Sequence, residues 1–568
     1  MSRRHADLLD RAVTACRTRE HFSPFPDRPG KDPESLAAID AARTAYEATL
    51  GGSFALEQPT SGELLGEEVS PYTGEALGIR YPGPDIDAQF AAARRAGARW
   101  REVDPELRVD LCLEIVQRLH GRWFELAHAN QHTTGQSFSM SCVGSGTNAL
   151  DRGIEAVAYA AEAMHRVPTA GHWEKDFGTA TVRLDKRYRI VPRGTAVVIT
   201  CASFPTWNAY PALLANLATG NPVLIKPHPT SVLTMAIATQ VCQQVLAEEG
   251  LPPELVQLAP DTTAAPIAKE LIAHPDCRIV DFTGSPAFGS WIEANAHPAV
   301  AYTETAGVNT VVLAGTDDLQ ATAAAIATSL GLFTAQMCTS VQNIYLPGDG
   351  VRTPDGLIPP DEATEAIVAA VDAVVGQPKR AAGVMGALQS PATLDLVSNV
   401  EAAVAEQGRV VRRAGTYEHP EFPRARTCTP SIAAVEPSAR ELFGEERFGP
   451  VSFAITCADA DDALDQAIRD VRAKGSIASH VYATDRDYLD RAADAYVDAG
   501  ASLTMNLTGP MPLNFAAAYS DYHVTGLSPA GNACLTDEAF IAGRFRVAQV
   551  REPAEGLQGP EAASEEAT

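Results

Sequence analysis

The chain predicts an α/β protein of two domains built on largely parallel sheets, and three observations carry that prediction. From residue 195 onward, apolar runs of strand length alternate with helical segments. "TAVVIT" (195–200) opens the series; "NPVLIKP" (221–227) leads into the helix "VLTMAIATQVCQQVLAEEG", and "RIVDF" (278–282) into a helix beginning near "SPAFGSWIEANA". Strands joined through helices read as βαβ units, whose strands lie parallel. A second series opens at "NTVVLAG" and runs through helices expected at 317–331 and 362–376 to "VSFAIT" (451–456) and "SHVYAT" (479–484). At 568 residues the chain is long enough for more than one full core, and it shows no internal repeat.

Ahead of these series, helix-period patterns occupy 33–50 and much of 85–165, as in "LRVDLCLEIVQRLHGRWFELAHAN". "TATVRLDKRYRIVPRG" alternates and is charged on one side, which predicts an exposed two-stranded ribbon over 173–191. The end, "REPAEGLQGPEAASEEAT", has almost no large apolar residue and predicts a disordered acidic tail over 551–568.

Apolar residues make up 45 % and charged residues 20 %, an ordinary globular balance. The formal charge of −26 disfavours nucleic acid and anionic membrane as partners, since both are polyanions. No apolar run approaches a bilayer span, and "MSRRHADLLDRAVTACRTREH" lacks the apolar core of a secretory leader. The ten cysteines are scattered, without a CxxC pair or a His cluster at zinc spacing, so no metal site is expected. Scattered thiols in a large chain suit a reducing cytoplasm.

Four stretches bear on chemistry. "GSGTNA" (144–149) matches a dinucleotide fingerprint in letters, but no strand precedes it and no acid follows about twenty residues on. It reads as a helix junction. In "DFTGSPAFG" (281–289), a strand expected to end at Phe282 turns at Gly284 into a helix whose first amides, with Ser285, suit a pyrophosphate; a capped helix is the plain alternative. Glu304, in "YTETAGVNTVVLAG", stands at the entrance to a buried-looking strand, where a carboxylate is paired, protonated or used as a base unless a solvated turn holds it. Cys338, in "GLFTAQMCTSVQN", has polar neighbours in a short link between helix and strand, whereas Cys112 and Cys242 lie in amphipathic helices and Cys277 and Cys457 flank strands. That setting suits a thiol facing a cleft rather than a core cysteine.

Together these stretches resemble the aldehyde dehydrogenase superfamily. "LATGNPVLIKP", "FTGSPAFG", Glu304 in "ETAGVN", Cys338 in "GLFTAQMCTS" and "EERFGPV" (445–451) follow the superfamily's order and approximate spacing, and Glu304 precedes Cys338 by its 34 positions. The resemblance covers roughly 70–550. It implies an aldehyde dehydrogenase-like fold: a Rossmann-like cofactor domain (61–307), a second α/β domain carrying the nucleophile (308–508), a return and oligomerisation segment (509–550) and a helical N-terminal extension (1–60). By the same resemblance Cys338 is the nucleophile and Glu304 the base. Lys226 faces the adenosine ribose or its phosphate, Gly284, Ser285 and Gly289 form the helix mouth under the pyrophosphate, Glu446 bonds the nicotinamide ribose, and Phe448 flanks the ring. Within the superfamily, "FPTWNAYPALLANLATGNPVLIKPHP", "SDYHVTGLSPAGNACLTDEAFIAGRFRV" and the extension "REHFSPFPDRPG" are similar to the phenylacetate-degradation subfamily PaaN.

Two departures stand out. Ser203 of "CASFP" occupies the place of the superfamily's oxyanion-binding Asn, leaving the Cys338 backbone N–H and, if the loop folds back, Asn208 as donors; losing one such donor costs about 10²–10³ in rate. Pro229 of "KPHP" stands where enzymes preferring NAD carry a Glu, so Lys226 and His228 are expected to favour NADP, with NAD possible. The expected activity is oxidation of a CoA-linked semialdehyde, formed when the phenylacetyl-CoA ring opens, to a carboxylic acid. Alternatives are a CoA-acylating enzyme, a biosynthetic paralogue and a silent binding protein. A homodimer or homotetramer is expected, its subunits pairing through ribbon edges.

Overall fold

The computed structural model describes residues 4–305, 307–524 and 537–554. Residues 525–536 of the expected return segment and 555–568 of the expected tail lie outside them. The molecule is a mixed α/β architecture on two principal sheets.

The first sheet has five strands in the order Val256–Leu258, Val223–Lys226, Thr195–Ile199, Cys277–Gly284, Val300–Thr305, all parallel. Its two inner strands Val223–Lys226 and Thr195–Ile199 are buried at every position, as strands covered on both faces must be. Helix Pro205–Ala218 is buried at every residue because it is sandwiched against the sheet and helix Ala149–His165, so its polar positions Thr206, Asn208 and Asn216 face protein rather than water. "GSGTNA" falls in the π-helical turn Val143–Asn148 that joins two α-helices. Strand Cys277–Gly284 runs two residues further than its apolar letters suggest, because Thr283 and Gly284 continue the pairing with Glu304 and Thr305.

The second sheet has seven strands in the order Gly408–Arg412, Ser431–Val435, Val451–Cys457, Asn343–Pro347, Thr310–Leu313, Ser479–Tyr482, Leu503–Met505. All are parallel except the first, which pairs antiparallel with Ser431–Val435. Strand Val300–Thr305 ends the first sheet and Thr310–Leu313 begins in the middle of the second, so only a short link separates the two sheets.

The ribbon differs from its expectation. Thr181–Pro192 is a single central strand, flanked by Ala170–Asp176 on one side and Phe545–Pro553 on the other, both antiparallel. The expected tail therefore begins too early, since residues 551–553 belong to a strand. A buried cluster fastens this end of the chain: Arg544 Nη1 and Nη2 donate to the two Asp281 oxygens at 2.9 and 2.6 Å, while Asn216 donates to Asp281 at 2.8 Å. Two helices of the N-terminal extension, Ala6–Thr18 and Pro33–Glu47, pack on helices Ala149–His165 and Trp123–Thr134.

Candidate active site

Three side chains from distant parts of the chain converge where the sheets meet. Glu304 projects from the outermost strand of the first sheet, and Cys338 lies just before the second sheet's strand Asn343–Pro347. His523 comes from the segment beyond the last strand of that sheet. Its Nε2 lies 2.9 Å from Glu304 Oε1 and 3.7 Å from Cys338 Sγ. The ring packs edge-on against Trp207, with centroids 4.9 Å apart. Glu304 and His523 are both almost fully buried, at 1 % and 2 % exposure.

The sulfur is held by a strained backbone. Phe333, Thr334 and Ala335 are consecutive non-glycine residues in the left-handed region, with φ of 49°, 52° and 50°. Such residues cost about 1–3 kcal/mol each and persist only where surroundings fix them. Here Thr334 Oγ1 donates to the Met385 carbonyl at 2.8 Å, and Gln336 Nε2 donates to the Phe333 and Ala387 carbonyls, both at 3.1 Å. Asn309 then clamps the loop from below. Its Nδ2 donates to the Cys338 and Ser340 carbonyls at 2.7 and 2.8 Å, while its Oδ1 accepts from the Ile477 and Ala478 backbone N–H groups, both at 3.0 Å.

The electrostatics oppose ionisation of the thiol. Burial pushes Cys338 well above the ordinary thiol range, and the neighbouring Glu304, Cys201 and Glu446 add to this. Glu446 is pushed up to about 7 by burial and by the charge of Glu304. The thiol and the two carboxylates thus disfavour one another's charged forms.

A cavity of about 520 Å³ opens onto Cys338 and His523. Phe204, Trp207, Met337 and Phe515 supply apolar wall, Asn208 a polar one, and Asp27 and Arg28 of the N-terminal extension also line it. Ser203 is not among the lining residues, and its carbonyl accepts a hydrogen bond from Gln136 Nε2 at 2.7 Å. Of the two expected donors the structure therefore brings only Asn208 to the cavity; its Nδ2 donates to the Phe204 carbonyl at 3.1 Å and contacts Cys201 Sγ at 3.3 Å.

The remaining predicted residues line the carboxyl edge of the first sheet and the loop facing it, where ligands bind in open α/β sheets. Ser285 caps helix Pro286–Asn295 by accepting from the Phe288 N–H. Gly289 serves packing, since a Cβ there would lie 2.4 Å from Thr305 Cγ2 and push the helix off the strand. Glu446 and the exposed Phe448 line a small cleft with Gly307 and Asn309 on the far side of the Cys338 loop. A helix N-terminus, a strand-end lysine and an exposed ring beside a half-buried acid fit a dinucleotide. Two details differ from expectation. Lys226 is not a lone cation, because its Nζ pairs with Asp261 Oδ1 at 2.7 Å. His228 is lowered to about 4 by burial and by Lys226, so its charged form is disfavoured and it offers a phosphate a hydrogen bond rather than a charge.

His523, Cys201 and Asp261 are the residues that sequence reasoning missed. "SDYHVTG" had been noticed for its similarity, and that was the one available signal for His523. The cluster also presents a sulfur, an imidazole and a carboxylate within 4.8 Å of one another, a donor set of the kind that holds zinc, although no metal site was expected.

A buried acid and a half-buried thiol stand together at the meeting of a Rossmann-like parallel sheet and a second α/β sheet. The aldehyde dehydrogenase family model matches residues 60–508, and the chain belongs to that family of oxidoreductases acting on aldehydes. The crystal structure of an NAD-dependent aldehyde dehydrogenase from Burkholderia multivorans superposes with a TM-score of 0.92 at 42 % identity, covering 97 % of this chain and 98 % of that one. Betaine aldehyde dehydrogenase of Sinorhizobium fredii is 27 % identical over 77 % of this chain and 85 % of its own length. For 1-pyrroline-5-carboxylate dehydrogenase of Bacillus licheniformis the figures are 25 %, 74 % and 77 %. Among the described residues no helix is long and apolar enough to cross a membrane.

Proposed function

We propose that this enzyme oxidises a semialdehyde to a carboxylic acid on Cys338, with water as the final acceptor of the acyl group. The Glu304 carboxylate and the Cys338 sulfur, within 4.8 Å of one another beside the cavity that Cys338 lines, carry the reading. The Cys338 thiolate attacks the aldehyde carbon, and the carbonyl electron pair moves onto oxygen. The Cys338 backbone N–H, with Asn208 on the cavity wall if its amide leaves the Phe204 carbonyl, would donate to that oxyanion. A nicotinamide, when bound, would supply the hydride acceptor, and Cys338 would then hold the acyl group as a thioester. Glu304 then takes a proton from water, whose oxygen attacks the thioester and expels the sulfur. Glu304 and His523 standing together at the sulfur support hydrolysis over transfer to CoA. Lys226, Ser285, Glu446 and Phe448 are the residues that would hold the dinucleotide.

The substrate reading follows the similarity to PaaN, the phenylacetate-degradation subfamily. The stretch "REHFSPFPDRPG" that carries part of that similarity supplies Asp27 and Arg28 to the cavity. An apolar cavity of about 520 Å³ with a guanidinium on its wall suits a chain that is hydrocarbon near the aldehyde and anionic further out, as a CoA-linked semialdehyde is. The cofactor reading moves to NAD over NADP. A neutral His228 and a carboxylate already on Lys226 leave little to hold a 2′-phosphate, and the Burkholderia protein's NAD dependence agrees. Subunits pairing through the edges of the three-stranded ribbon complete the proposal.

A screen of CoA-linked and free semialdehydes for NADH and NADPH formation tests this, with Cys338→Ala as control. Acid formation with and without free CoA separates hydrolysis from acylation. A reading in which no aldehyde exceeds the control, or in which NADP gives the higher kcat/KM, overturns the corresponding part.

A further inference from the structure

The cycle above leaves His523 without a task, yet no side chain stands nearer to both reacting groups. We propose that the His523 Nε2–H is one donor shared by Cys338 and Glu304, which keeps the sulfur reactive before attack and passes wholly to the carboxylate once the sulfur is acylated. The inference rests on Cys338 being the nucleophile.

The tautomer follows from the surroundings. Nε2 faces two acceptors, at 2.9 and 3.7 Å, whereas Nδ1 is buried without a hydrogen-bond partner. An unmet buried N–H is dearer than an unmet lone pair, so the proton belongs on Nε2. Trp207 lies edge-on to the ring and holds its plane, so the donor cannot swing away from either acceptor.

The sulfur needs such a donor. The titratable groups facing it are Glu304 from the first sheet, Cys201 from the loop after strand Thr195–Ile199, Glu446 from the loop before Val451–Cys457, and His523 itself. Glu304, Cys201 and Glu446 all disfavour a thiolate, and so does burial. A hydrogen bond to the charged form favours that form, and the His523 N–H is the one side-chain donor recorded at Sγ among the described residues. On ionisation the thiol proton leaves to bulk solvent while the imidazole keeps its own. When the sulfur bonds to the acyl carbon it loses its negative charge and most of its strength as an acceptor. The N–H then orients Glu304 alone, at the stage where that carboxylate must take a proton from water.

The test is the rate of Cys338 alkylation by iodoacetamide across pH on the full-length protein, read by mass spectrometry of the peptide carrying Cys338. No cofactor or aldehyde is needed. His523→Met and His523→Ala remove the donor, and His523→Gln returns an N–H near the position of Nε2. Thermal melts establish which variants fold, and either donor-less variant suffices. The expected result is a loss of about tenfold or more at neutral pH with the midpoint moved up by about one unit in the donor-less variants, and recovery of most of the rate in the glutamine variant. A donor-less profile that overlays the wild type overturns the inference. So does an equal loss in the folded glutamine variant, since the effect would then be packing. If wild-type Cys338 reacts no faster than the buried cysteines, the assignment of the nucleophile falls first, an outcome distinct from the other two.

Discussion

Two buried charge clusters of this molecule look alike in composition and differ in finish. At Arg544, the guanidinium donates to both oxygens of Asp281 and to Asn216 Oδ1, and Asn216 returns a bond to Asp281. Opposite charges meet in a fork, so burial is compensated. At Cys338 the ionisable neighbours are acids, the imidazole offers one proton to two acceptors, and its other nitrogen has no hydrogen-bond partner. The first cluster is built to stay as it is. The second holds unmet electrostatic demand beside a cavity, which is what a group that must change charge during turnover requires.

Removing one charged group from each cluster should therefore have opposite consequences. Glu304→Gln is expected to cost the most in turnover, about 10²–10⁴-fold, the range for loss of a general base, while reduced cofactor forms about once per active site in a burst and the acyl group stays on Cys338. Its melting temperature should hold or rise, because a crowded charge has gone. Arg544→Met leaves Asp281 buried and uncompensated and should cost about 3–5 kcal/mol of stability by chemical denaturation. The double variant with Asp281→Leu should recover much of that, and full additivity of the two would show that the pair is not coupled.

The smallest effect concerns Glu446. Its folded-state pKa is raised to about 7, so the stability it contributes is complete below the unfolded carboxylate value and is lost as pH rises towards 7. Glu446→Gln should therefore raise the melting temperature at pH 8 and leave it unchanged at pH 4. A gain at the acidic end instead would reverse the sign of the coupling to Glu304.

Much of this was legible in the letters, for reasons that particular residues show. "TAVVIT" and "NPVLIKP" are strands buried on both faces, and continuous apolar runs announce that situation. The segment after about 525 reads as a ribbon candidate, but the extent of strand Phe545–Pro553 does not show, because its side chains beyond Phe545 are exposed and "RVAQVREP" has no core to pattern it. Phe333, Thr334 and Ala335 take left-handed backbone without a single glycine to signal it, since the bonds that enforce it come from residues about fifty positions on. Asp261 and His523 carry the same lesson for the site. A carboxylate in "APDTT" and an imidazole in "SDYHVTG" acquire meaning only when the fold sets them against Lys226 and Cys338. Alignment on "LATGN" and Lys226 puts Ser203 at the oxyanion position, whereas only the path of the chain into helix Pro205–Ala218 shows that Asn208 reaches the cavity.

The separation of Cys338 from His523 has a consequence for biosynthesis. The histidine follows the cysteine by 185 residues, and the segment bearing it leads on to the Arg544 anchor and the ribbon's last strand. A ribosome making this protein releases the thiol long before the imidazole exists to support its ionisation. On the proposed role of His523, the nascent polypeptide carries the sulfur without its donor until the segment around residue 523 has been made.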